Sequence, residues 1–185
     1  VRDCLTTSEV LVATAARETV EARDTRRESR GIDVDRAREI NQMNLSDVDA
    51  ITVENLGRVL ADAKIALVAV EPEGSVVGFC LIIDETCGYL SDRAAWAIST
   101  SGSGLHIDRV VFDMKFSGFG LGLALYNELD RRIEELAAAT LTSLVRIEPP
   151  NTHSVGFHNS RGFVTLAETV FDGQKFALAR RTFQP

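Results

Sequence analysis

Apolar residues occur along this chain in two patterns, unbroken runs and helical repeats. The runs IALVAV (65–70) and VVGFCLII (76–83) flank the charged turn EPEG and predict a β-hairpin, with Cys80 as a small core residue. LHIDRVVF (105–112) and LTSLVRIE (141–148) predict two more strands, the second ended by Pro149 and Pro150. Between them GFGLGLALYNELDRRIEELAAA predicts a long helix with Leu121, Leu125, Leu129, Ile133 and Leu136 on one face and Tyr126 in its packing.

Helical spacing also predicts short helices over 33–44 and 52–62. Thr52 is the N-cap of the second, followed by Val53, Leu56, Val59 and Leu60. A short helix over 152–161 is closed by Gly162. FVTLAETVF and QKFALARRTF predict a last hairpin about Asp172–Gly173. Residues 85–104 mix polar residues with Tyr89 and Trp96 and end in a loop, STSGSG. Residues 1–30, rich in Ala, Glu and Arg, are expected to form an N-terminal arm or extension. Within it 8–17 is a short helix or loose arm and ETVEARD a first strand; residues 31–185 form a single domain. The order predicts a mixed α/β (α+β) fold with mostly antiparallel strands and one central β-α-β crossover.

Composition narrows the function. The 185 residues suit one domain, and 45% hydrophobic with 25% charged residues is an ordinary globular profile. No apolar run approaches the ~18 residues of a membrane span, and the first residues carry no signal-peptide pattern. A net charge of −7 argues against nucleic-acid binding. Cys4, Cys80 and Cys87 lack metal-type spacing and fit a reducing, cytoplasmic setting.

Against that background KFSGFGLGLALY (115–126) stands out, because Gly118, Gly120 and Gly122 fall where the long helix begins. Glycine inside a helix costs about 1 kcal/mol relative to alanine. A helix start offers unpaired N–H groups and the positive end of the dipole, and glycine lets a phosphate approach the backbone. Closer helix–strand packing would use the same glycines. No Gly-Lys-Ser/Thr follows, so the turn is not a P-loop, and its place late in the chain is wrong for a dinucleotide fold.

The run IDRVVFDMKFSGFGLGLALYNELDRR, followed by VRIEPPNTHSVGFHNSRGF, resembles the Gcn5-related N-acetyltransferase (GNAT) superfamily. There a strand leads to Arg/Gln-x-x-Gly-x-Gly/Ala and a long helix; a second strand then leads to Asn, a short helix bearing Tyr, and Gly-Phe. The matching positions here are Ser117 to Gly122, then Asn151, Phe157-His158 and Gly162-Phe163. Ser117, Met114 and His158 stand where the family usually has Arg or Gln, Pro, and Tyr. The resemblance implies a mostly antiparallel sheet with splayed central strands, flanked by helices. It implies acetyl-CoA as cosubstrate and an amine acceptor, and homodimers are common in the family. Cofactor contacts would fall on Val110, Val111 and Phe112, on Ser117, Gly118, Phe119, Gly120, Leu121, Gly122 and Leu123, and on Asn151. Lys115 or Arg161 would supply the phosphate charge that Ser117 lacks.

The catalytic candidates follow from that frame. His158, in the tyrosine's place, is the acid for the leaving thiolate, or a packing residue of its helix. Asp108 is the base, or half of a salt bridge. His106, two residues away on one strand face, and Tyr89 are candidates for the acceptor side. His153 faces solvent, and the three histidines follow no usual ligand spacing, so no metal is expected. The function expected is acetyl-CoA-dependent N-acetylation of a primary amine, the alternative being a catalytically inactive acyl-CoA-binding module.

Overall fold

The structure, a computed structural model, describes residues 11–15, 18–24, 33–71, 74–102, 104–116 and 118–183. Its strands are β1 (Leu11–Ala15), β2 (Glu18–Asp24), β3 (Ile65–Val70), β4 (Val76–Ile83), β5 (Leu105–Phe112), β6 (Thr140–Glu148), β7 (Val164–Phe171) and β8 (Gln174–Thr182). Its helices are α1 (Val34–Met43), α2 (Val53–Asp62), α3 (Asp92–Ser101), α4 (Leu121–Glu135) and α5 (Thr152–Ser160). The strands form one sheet in the order β1-β2-β3-β4-β5-β6-β8-β7. All neighbours are antiparallel except β5 and β6, which α4 joins as a crossover.

Local chemistry sets the helix starts. Asp33, Thr52, Ser91 and Asn151 each accept a first-turn backbone N–H with their side chains. Two layers of helix cover the sheet. Ala37 and Ile40 of α1, Leu56 and Val59 of α2, and Ala94 and Ile98 of α3 pack on one face. Leu125, Tyr126, Leu129 and Ile133 of α4 pack on the other, against Leu67, Cys80 and Ile107. Burial on both faces explains why β3 and β4 read as unbroken apolar runs.

Three expectations change. Residues 11–15 are a strand, not part of a helix, and α3 lies where only a linking segment was expected. Leu136 sits past the end of α4 and is exposed, because the helix stops at Glu135. Residues 1–10 and 25–32 of the expected arm, and Ser103 of the STSGSG loop, lie outside the described residues.

Two irregularities position the site. β5 and β6 pair only at Leu105↔Leu141, His106↔Thr142 and Ile107↔Ser143, although both strands continue. Past Ile107 the strands part. On its other edge β5 carries a bulge, because Leu81 pairs with Arg109 while Ile82 pairs with Ile107. Asp108 is the extra residue.

Candidate active site

The mouth of α4 is open. Its N-cap is Gly120 (φ 76°), which supplies no capping side chain, so the first-turn amides keep their outward donors. Gly118 has φ 83°, and a Cβ at Gly118 or Gly120 would meet nothing within 4 Å. The positive φ values, not close packing, therefore require glycine here. A Cβ at Gly122 would reach Phe157 at 3.9 Å and Phe112 at 4.0 Å, an ordinary contact. Phe119 is half-buried and Leu123 exposed; Ser117 lies outside the described residues. Lys115 is exposed beside the turn, whereas Arg161 is held by Asp130 (2.7 Å) and Asn127 (2.9 Å). Of the two cations offered for the phosphate, Lys115 alone has no salt-bridge partner among the described residues, and its backbone N–H and, to a smaller degree, its charge help to hold the Asp113 pKa down.

The free edge of β5 leads from this mouth to the bulge. The Asp113 N–H donates to Val77 O at 2.8 Å, so by antiparallel alternation the polar groups of Val111 face β4. Those of Val110 and Phe112 face the gap left by β6. The Phe112 carbonyl there accepts from Asn44 Nδ2 at 2.9 Å. The N–H and C=O of Val110 and the N–H of Phe112 remain for an added strand-like ligand. Asn151 is turned elsewhere: it caps α5 through Ser154 N and donates to Asp47 at 2.8 Å.

On the α1–α3 face a small cavity of about 30 Å³ reaches the point where the strands separate. Its wall includes His106, Ile107, Asp108 and Arg109 of β5 and Leu144 of β6, the residue after the last paired one. Arg109 Nε donates to Asp108 Oδ2 at 2.6 Å and Arg109 Nη1 to Asn41 Oδ1 at 2.7 Å. The Asp108 side chain is 4% exposed, and its Oδ1 has no hydrogen-bond partner among the described residues. His106 is buried; its Nδ1 bonds Thr142 Oγ1 at 2.9 Å, and that hydroxyl donates to Leu105 O. The arrangement puts the imidazole proton on Nδ1 and leaves the Nε2 lone pair free. Burial lowers its pKa to about 4, against the opposing pull of Asp108.

A wider cavity of about 310 Å³ adjoins, lined by Asp49, Tyr89, Ser91, Asp92, Arg93, Phe171 and Asp172. Both cavities share Asp49, Ser91 and Arg93. Tyr89 thus lies in the outer cavity, apart from His106 and Asp108 in the inner one. Arg93, Asp49, Asp172 and Phe176 did not emerge from sequence reasoning. They come from three separate segments, and no local motif marks them.

His158 is on α5 but faces inward. Its Nδ1 donates to Ser154 O at 2.8 Å, and its Nε2 accepts from the Tyr126 hydroxyl at 2.8 Å. Its ring packs edge-on against Tyr126, Phe157 and Phe163. Burial lowers its pKa, opposed by the Ser154 bond, and raises that of Tyr126. Both imidazole nitrogens are therefore engaged inside the fold. Among the described residues no cluster of three or more His, Cys, Asp or Glu could hold a metal, and no helix is long and apolar enough to cross a membrane.

A family model described as the acetyltransferase (GNAT) family matches residues 35–163. Similar solved structures include Ard1 from Thermoplasma volcanium, with TM-score 0.69, 18% identity, and 90% of this chain and 99% of that one covered. A GCN5-related N-acetyltransferase from Kribbella flavida gives TM-score 0.65 at 15% identity, covering 89% and 98%. A chain of the NatC complex bound to Gag peptide and CoA gives 0.68 at 9%, covering 89% and 99%. No curated protein matches the sequence. At these identities the solved structures show a shared fold.

Proposed function

The chain belongs to the GNAT acetyltransferase family, and on that premise we propose that it transfers an acetyl group from acetyl-CoA to a primary amine. One observation carries this reading: the cavity holding Asp108 ends where β5 and β6 part, so an amine and a thioester lying in the gap would meet there. The residues present fit the coenzyme. Its diphosphate would lie on the amides from Gly118 to Leu123, with Lys115 the nearby cation. Its pantetheine arm would run along Val110, Val111 and Phe112.

Proton handling falls to Asp108. The acceptor enters as an ammonium and loses one proton, which Asp108 Oδ1 takes up or relays to water. The nitrogen attacks the thioester carbonyl carbon; the C–N bond forms and the C–S bond breaks. The remaining ammonium proton leaves for solvent, and the thiolate takes one back, yielding the amide and the free thiol. His158 contributes by fixing α5 to α4 through Tyr126, beside the slot, instead of donating directly. Asn151 contributes by capping α5. Tyr89 and His106 line the acceptor's path.

Calorimetric titration with acetyl-CoA, followed by thiol-release assays over an amine panel, tests the reading. Binding followed by amine-dependent release supports it. Binding without release, across primary amines of all tail charges, replaces it with an inactive acyl-CoA-binding module, a reading that the engaged His158 favours.

A further inference from the structure

Resting on that transferase reading, we propose that the acceptor is a small aliphatic diamine. Its reacting nitrogen is held at the cavity floor by Asp108 and His106, and its second, cationic nitrogen at the mouth by Asp49, Asp92 and Asp172. The floor presents acceptors. Asp108 Oδ1 and His106 Nε2 have no hydrogen-bond partner among the described residues, and both side chains are more than nine-tenths buried, with 4% and 3% exposure for the aspartate side chain and the histidine. Both residues line the inner cavity, and neither atom is sealed from it, so a ligand's N–H groups can take the place of water there. A primary amine supplies such groups.

The mouth carries an excess of negative charge. Asp108 is paired with Arg109 and Asp47 with Arg146, while Asp49 and Asp172 share the single Arg93 at 3.1 and 3.7 Å. Asp92 has no cationic partner among the described residues. Arg93 is therefore satisfied twice over, and its guanidinium lies 4.4 Å from the Phe176 ring centroid. A substrate carboxylate would have to take Arg93 from these carboxylates and would meet like charge. A substrate ammonium meets three carboxylates, Asp49, Asp92 and Asp172, against the one guanidinium of Arg93. The volume of about 310 Å³ is at the small end for ligand pockets and suits a short chain.

Three acceptors with the same four-carbon reacting end test the proposal: 1,4-diaminobutane, n-butylamine and 4-aminobutanoate. With the full chain and acetyl-CoA, kcat/KM for thiol release should be at least tenfold higher for the diamine than for butylamine, and lowest for the aminobutanoate. In Asp172→Asn the ratio of diamine to butylamine should fall at least threefold. Asparagine tolerates the positive φ of 50° at that turn, so the variant keeps the backbone. An unchanged ratio in a folded Asp172→Asn protein overturns the mouth assignment. Release that favours the neutral or anionic tail overturns this proposal alone. Release with none of the amines, despite coenzyme binding, overturns the transferase reading along with it.

Discussion

Arg109 Nε donates to the carboxylate of Asp108, its immediate neighbour in the chain, at 2.6 Å. Successive strand residues normally point to opposite faces. The bulge between β4 and β5 removes that alternation and lets the two side chains meet at the parting of β5 and β6. The pair fixes one Asp108 oxygen and leaves the other without a hydrogen-bond partner among the described residues, at the wall of the inner cavity. Asp108→Asn keeps an acceptor for Arg109 but loses the base. Its kcat/KM for the amine should fall more than tenfold, with coenzyme affinity within twofold. Steady-state kinetics beside calorimetry reads both, and an unchanged kcat/KM would remove Asp108 from the proton path.

The glycines at the mouth of α4 should separate by role. At Gly122 the backbone is helical and a Cβ makes ordinary contacts, so Gly122→Ala should stabilise by up to ~1 kcal/mol, or about 2–4 °C in Tm. Its coenzyme affinity should stay within twofold. At Gly120 the φ is 76° and the space before it is open, so Gly120→Ala should weaken coenzyme binding at least tenfold. Equal affinities for the two variants would count against a diphosphate seat on these amides.

Acid should loosen the fold through its buried histidines. The His106 pKa falls from 6.5 to about 4 on folding, so the unfolded chain takes the proton first. Stability is full above pH 6.5 and declines as pH falls towards 4, by about 3 kcal/mol for this one group. His158 shifts in the same direction. The Tm of His106→Gln should therefore fall less between pH 7 and pH 4.5 than that of the parent. Equal falls would mean that His106 is not held neutral.

The Tyr126–His158 pair gives a structural prediction. Tyr126→Phe leaves the buried Nε2 of His158 without a donor and should cost about 1–3 kcal/mol. His158→Gln should lower Tm while kcat falls less than tenfold. A larger loss of kcat at unchanged Tm would restore His158 as the direct acid.

Much of this architecture was legible in the residues. The two-sided burial of β3 and β4 writes itself as IALVAV and VVGFCLII, and the buried face of α4 as leucines and an isoleucine four apart. The capping residues Thr52 and Gly162 mark two boundaries. α3 was hidden because its buried contacts come from Ala94, Ala97 and Ile98, too small and few to set a period. The β5 bulge has no local signature, since it reflects register against β4. That register gives Asp108 its guanidinium partner. The inward turn of His158 depends likewise on Tyr126, which is 32 residues away in the chain.

The central claim is that the open amides of α4 and the gap beside β5 hold acetyl-CoA. A crystal structure of the chain with coenzyme A bound tests it most directly. Diphosphate density against the amides from Gly118 to Leu123, with the pantetheine bonded to the main chain of Val110 and Phe112, is the expected result. Coenzyme bound elsewhere, with that mouth and gap vacant, would contradict it.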